Sequence, residues 1–132
     1  MKILIIDNYD SFTFNLVHYL EQFAEEVVVQ RNDRIDLEGI AGFDKVVISP
    51  GPGLPREAGQ LNAALHQLIG KVPLLGVCLG LQAIVEHFGG QLSNLQQVLH
   101  GKTSQCHIVH DDPLFERISS PFEIGHYHSW VA

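Results

Sequence analysis

Among the 132 residues, one short run has the composition needed for covalent chemistry: Gly76-Val77-Cys78-Leu79-Gly80. It places a thiol between two glycines where a strand is predicted to give way to a helix, the cysteine counterpart of the G-x-S-x-G nucleophile elbow. Such a turn is sharp and holds its nucleophile in a strained conformation, so its flanking positions must be small. The helix predicted over Leu79 through Phe88 would aim its N-terminus at the sulfur, where unpaired amides and the helix dipole favour thiolate over thiol. The backbone N–H of Leu79 would then face a developing oxyanion. The alternative for a lone cysteine is a small buried hydrophobe. Cys106, the only other cysteine, lacks such neighbours and is read as structural.

A second loop offers partners for that thiol. In Pro50-Gly51-Pro52-Gly53-Leu54-Pro55 the prolines fix φ while the glycines permit unusual backbone angles, so the loop can be rigid and still present N–H groups to a ligand. Gly53 is the candidate second oxyanion donor; an ordinary turn is the alternative. The loop is neither a Walker loop nor a G-x-G-x-x-G fingerprint, so no nucleotide is assigned. Gln82, one helical turn after Cys78, could hydrogen-bond a polar substrate tail, or could be an exposed helix glutamine. His126 and His128 lie two apart and share one face of a strand, where either could act as a base. With His107 and His110 they could suggest a metal, but no third ligand is fixed by the sequence, so no metal and no cofactor is assigned.

The elements that must position these residues alternate. Residues 2–7 form an apolar run of the kind buried on both faces of a parallel sheet. A helix capped by Ser11 is predicted next, with Phe12, Leu16, Leu20 and Phe23 as its apolar stripe. Strands are predicted at 27–29 and 45–49, a helix around Leu61, Ala64, Leu65 and Leu68 closed by Gly70, and a central strand at 72–77. This is the pattern of a doubly wound α/β sheet, whose ligands bind at the carboxyl ends of the strands. Beyond Gly90 the alternation weakens into shorter strands at Leu92, Val98, 106–109 and 122–131.

Composition sets the outer bounds. A chain of 132 residues, 45% hydrophobic, suits one compact domain. A net charge of −7 repels a phosphate backbone, which argues against nucleic acid. No apolar window of about 18 residues and no secretory leader pattern is present, so neither a membrane partner nor export is expected, and the chain is read as soluble and cytoplasmic.

Five blocks, in order, carry a family resemblance: Asp7-Asn8-Tyr9-Asp10-Ser11-Phe12, Ser49-Pro50-Gly51-Pro52-Gly53-Leu54-Pro55, Gly76-Val77-Cys78-Leu79-Gly80-Leu81-Gln82-Ala83-Ile84, His100-Gly101-Lys102-Thr103-Ser104 and Tyr127-His128-Ser129-Trp130. Together they resemble the class I (triad) glutamine amidotransferases, closest to the small glutaminase subunit (component II) of anthranilate synthase and of para-aminobenzoate (aminodeoxychorismate) synthase. The resemblance implies a flavodoxin-like α/β fold, mostly parallel, with helices on both faces, and one amidotransferase domain over residues 1–132. It implies that Cys78 attacks the side-chain amide of glutamine, releasing ammonia and leaving a γ-glutamyl thioester for water to hydrolyse. By the same carry-over Gly53 and Leu79 form the oxyanion hole, Gly51, Pro52, Gly53 and Gln82 bind glutamine, and Ser129 and Trp130 hold its amino-acid end. Ammonia would pass to a chorismate-using synthase subunit (component I), with Asp10, the Asn8-Tyr9 loop and residues 100–104 on the surface toward it.

The sequence departs from the family at Leu81, where many relatives carry His, and at His126 and Trp130, which stand where relatives carry Arg and Leu. A third departure bears on catalysis. The family's general base lies in a His-Pro-Glu block downstream of Tyr-His-Ser, and the sequence stops at Trp130-Val131-Ala132, inside a predicted strand, before any such block. The expectation is therefore a fold cut short at its C-terminus and a chain inactive or nearly so, since the thiol needs a base and the leaving ammonia a proton. Two rival readings remain at this point: a non-catalytic partner or regulatory module of such a synthase, and another cysteine hydrolase built on a G-x-C-x-G elbow.

Overall fold

The computed structural model describes the backbone throughout and the side chains of residues 1–95 and 101–132. The chain forms two compact units, Met1–Leu92 and Ser93–Val131. In the first, strands β1 (Lys2–Asp7), β2 (Glu26–Arg31), β3 (Lys45–Ile48) and β4 (Leu74–Gly76) alternate with helices α1 (Thr13–Leu20), α2 (Leu61–Leu68) and α3 (Leu79–His87). The sheet is parallel, in the order β2-β1-β3-β4.

Both faces of this sheet are covered, which is why β1 reads as an unbroken apolar run. Leu4, Ile6, Val46 and Ile48 face one way and pack with Leu61, Ala64, Leu65 and Leu68 of α2 and Leu79 and Ala83 of α3. Ile3, Ile5 and Val47 face the other way and pack with Val17, Leu16 and Leu20 of α1. Each fully buried Leu or Ile contributes about 1.5–3 kcal/mol through the water it sheds. Gly70, with φ 79°, follows the C-cap of α2 and closes that helix as its position in the sequence predicts.

Three expectations about this unit are corrected. Ser11 does not cap α1. The N-cap position is Phe12, without a side-chain cap bond, and the Thr13 N–H goes to the Asp10 carbonyl while carboxylates order the turn before the helix. Asp10 Oδ1 accepts from the Phe12 N–H at 2.7 Å, and Asp7 Oδ1 accepts from the N–H of Tyr9 at 2.9 Å and the Thr13 hydroxyl at 2.8 Å. These carboxylate bonds order the turn that leads into α1. The α1 stripe is also narrower than its periodicity predicts: Leu16 and Leu20 reach the core, whereas Phe12 and Phe23 are 46% and 74% exposed. Phe23 lies beyond the helix end at Leu20, where the 3.6-residue repeat no longer fixes direction. Finally, β4 is shorter than predicted and occupies a sheet edge, with only β3 as its partner among the described residues.

The second unit is a two-stranded antiparallel ribbon, β5 (Ser93–Cys106) with β6 (Phe122–Val131). The separate short strands predicted after Leu92 merge into the single strand β5, whose register shifts between Asn94 and Leu99 and between His100 and Lys102. Those bulges break the side-chain alternation that sequence reading depends on. The strand predicted at 106–109 ends at Cys106.

Candidate active site

Cys78 stands between β4 and α3 with φ 51° and ψ −106°, at the N-cap position of α3. A non-glycine residue with positive φ stores about 1–3 kcal/mol of strain that the surroundings must hold in place. Those surroundings are tight. A Cβ added at Gly80 would lie 2.5 Å from the carbonyl oxygen of Ile48 in β3, and one added at Gly76 would fall into the backbone of Gly80 and Leu81. The turn is also tied by hydrogen bonds: Val77 N–H to the Ile48 carbonyl, Gly80 N–H to the Val77 carbonyl and Gln82 N–H to the Cys78 carbonyl, each at 3.0 Å. The thiol is exposed, so the buried-hydrophobe alternative does not hold. Leu79, 1% exposed, anchors the first turn of α3 in the core, and its N–H belongs to the group of helix-start amides that have no intrahelical partner.

The Pro50-Gly51-Pro52-Gly53 loop follows β3 and adjoins this elbow. A Cβ on Gly51 would sit 2.5 Å from Asn8 Cβ and 2.7 Å from Leu79 Cδ2, so only glycine lets the β1, β3 and β4 strand ends converge here. Gly53 has φ 72°. Leu54, just after it, donates its N–H to Glu57 Oε2 at 2.9 Å. Gln82 is buried and therefore not the exposed helix glutamine of the alternative reading.

The first unit thus assembles Cys78, Leu79, the glycine loop and Gln82 at the carboxyl edge of one sheet, as a doubly wound fold requires. Ser129 and Trp130 lie half-buried on β6 in the second unit. So do His126 and His128, whose rings are 5.2 Å apart on one face, as their spacing predicts; Ser104 Oγ is 2.6 Å from His126 Nε2. One surface expectation changes. Asn8, read as part of an exposed loop, is 1% exposed, while its neighbour Tyr9 is 51% exposed. His100 lies outside the residues with described side chains, and residues 101–104 are exposed.

Sequence comparison decides the family. The profile of the class-I glutamine amidotransferases matches residues 4–132. The chain belongs to this family. Among curated relatives, anthranilate synthase component 2 of Pseudomonas aeruginosa is 47% identical over 98% of the chain and 65% of its own length. The aminodeoxychorismate/anthranilate synthase component 2 of Bacillus subtilis is also 47% identical, over 98% of the chain and 67% of its own length. The aminodeoxychorismate synthase component 2 of Escherichia coli is 44% identical, over 98% and 70%. The chain thus spans about two thirds of the length of these relatives. In fold this amidotransferase chain is similar to a GMP synthase protein from Thermoplasma acidophilum, with a TM-score of 0.83 and 24% identity over 98% of the chain and 65% of that structure. A glutamine amidotransferase from Thermotoga maritima has a TM-score of 0.72 at 15% identity, over 99% and 61%.

The small-residue turn around Cys78 and the Pro-Gly pattern of the loop were legible in the sequence. Sequence reading missed Ser49, Asn32 and Glu57 as supports of that loop, and assigned Asn8 to the surface. The available signal was a polar residue at the carboxyl end of each of three strands, but which of them meet is set by register.

Proposed function

We propose that this chain is the glutaminase portion of an ammonia-supplying subunit, acting on glutamine and delivering ammonia to a chorismate-using synthase subunit in the cytoplasm. The observation that supports this most directly is Cys78, exposed and strained at φ 51° on the elbow beside a positive-φ glycine loop. Cys78 is the nucleophile: its thiolate attacks the γ-carbonyl of glutamine, a C–S bond forms, the C–N bond breaks, and ammonia leaves as its nitrogen takes a proton. Water then cleaves the γ-glutamyl thioester to glutamate. The N–H groups of Gly53 and Leu79 receive the oxyanion, a contribution of about 10²–10³ in rate for each donor. Gly51, Pro52 and Gln82 contribute to the glutamine pocket. Either branch, anthranilate or aminodeoxychorismate formation, fits this chemistry, since relatives named for one, for the other and for both are 47%, 44% and 47% identical to the chain.

The general base that these proton transfers need is not assigned among the 132 residues. The deciding measurement is ammonia release from glutamine by this chain, with and without a chorismate-using synthase subunit, with Cys78→Ser as control. The expected result is little or no turnover alone, together with Cys78-dependent γ-glutamylation by an activated glutamate ester that needs no acid catalysis. Cys78-dependent release of ammonia would overturn that expectation and direct attention to His126 and His128 as the base. Failure of Cys78 to accept a γ-glutamyl group from any donor would favour the non-catalytic module.

A further inference from the structure

Asn8 lies one residue past the last β1–β2 pair, Asp7↔Arg31, at the centre of a buried polar bridge that ends on the glycine loop. Its backbone N–H donates to Ser49 Oγ at 2.9 Å, and its side-chain Nδ2 donates to the Ser49 carbonyl, also at 2.9 Å. Ser49 Oγ in turn donates to the Pro50 carbonyl at 2.7 Å. Asn32, at the end of β2, donates from its Nδ2 to Asn8 Oδ1 at 3.0 Å, which fixes the carboxamide in one orientation. Asn8, Ser49 and Asn32 are 1%, 0% and 7% exposed, so no water competes for these bonds. The backbone on the other side of Asn8 is held as well, because Asp7 Oδ1 accepts the N–H of Tyr9 and of Asp10.

This bridge acts on the loop at a sensitive point. Fixing the Pro50 carbonyl fixes the plane of the Pro50-Gly51 peptide, because that unit is rigid. At the far end Leu54 and Glu57 exchange bonds, Leu54 N–H to Glu57 Oε2 and Glu57 N–H to the Leu54 carbonyl, both at 2.9 Å. Only residues 51–53 remain between the two clamps, and Gly51 is wedged between Asn8 and Leu79. We infer that Asn8, braced by Asn32 and acting through Ser49, is a positioning residue that sets the orientation of the Gly51-Pro52-Gly53 backbone as an oxyanion hole. A hole is useful only if its donors are aimed before charge develops. The inference rests on the glutaminase reading above.

The test separates oxyanion stabilisation from thiol reactivity in the chain as it is. Alkylation of Cys78 by iodoacetamide is a displacement at carbon with no oxyanion, so it reads thiolate and access alone. Acylation by a γ-glutamyl p-nitrophenyl ester forms a C–S bond, passes through an oxyanion and expels nitrophenolate, which needs no general acid. Both are run above the ordinary thiol pKa of about 8.5, where the thiolate needs no base. In Asn8→Asp, which keeps the shape but loses the Nδ2 donor to Ser49, acylation should fall about ten- to a hundredfold while alkylation changes by less than about twofold. Asn32→Ala, which removes only the brace, should give a smaller loss of the same kind, and it keeps the test available if Asn8→Asp does not fold. Equal loss in both reactions, or no loss in either, overturns the positioning role alone. An unsubstituted chain that is alkylated at Cys78 but never acylated overturns the glutaminase reading and this inference with it.

Discussion

Replacing Cys78 by glycine should leave the fold more stable than replacing it by alanine, although glycine is ordinarily the more destabilising residue. At φ 51° and ψ −106° any residue with a Cβ is strained, at about 1–3 kcal/mol, and alanine retains that Cβ. Glycine removes the strain but adds about 0.5–1 kcal/mol of backbone entropy lost on folding. The thiol is exposed, so the two substitutions lose similarly little burial. The N-cap position adds to the difference, since alanine is among the poorest caps and glycine among the acceptable ones. The net expectation is Cys78→Gly above Cys78→Ala by about 0.5–2 kcal/mol, read from urea midpoints at equal slope. Alanine equal to or above glycine would mean that the elbow stores no strain at Cys78, and the geometric case for an activated cysteine would lose its footing.

Other substitutions test the surroundings of the elbow. Gly80→Ala drives a Cβ to within 2.5 Å of the Ile48 carbonyl oxygen and should cost about 1–3 kcal/mol in urea denaturation, with slower alkylation of Cys78 as the turn opens. Gly51→Ala meets Asn8 Cβ at 2.5 Å and should lower γ-glutamyl acylation of Cys78 by more than it lowers stability, because the displaced loop carries Gly53, the proposed oxyanion donor. Asn32→Ala leaves Asn8 Oδ1 buried without its donor and should destabilise by about 1–3 kcal/mol. Phe23→Ser, at a residue the helical repeat assigns to the core but which is 74% exposed, should shift stability by no more than about 0.5 kcal/mol.

Much of the fold was legible because its signals are local. The apolar run at Lys2–Asp7, the Leu61–Leu68 stripe with Gly70 after it, and the glycines around Cys78 each report a backbone state that neighbouring residues impose. Errors arose where a distant group decided the outcome. Ser11 has the right chemistry for a cap, but Asp7 and Asp10 order the turn before α1 and the Thr13 N–H goes to the Asp10 carbonyl. Phe23 has the right spacing for the core, but the helix ends before it. Asn8 looks like a loop residue by type and is instead buried in the bridge between strand ends.

By itself the sequence determined the alternating α/β plan, the small-residue turn that carries Cys78 and the family, because apolar periodicity and a small-residue turn follow from bonds between near neighbours. The tertiary structure decided which strand ends meet, that β4 stands at the sheet edge in this chain, and that Asn8, Asn32 and Ser49 form one buried bridge behind the glycine loop. Those facts depend on parallel register between strands far apart in the chain. A hydrogen bond between residues 41 positions apart leaves no local pattern to be read.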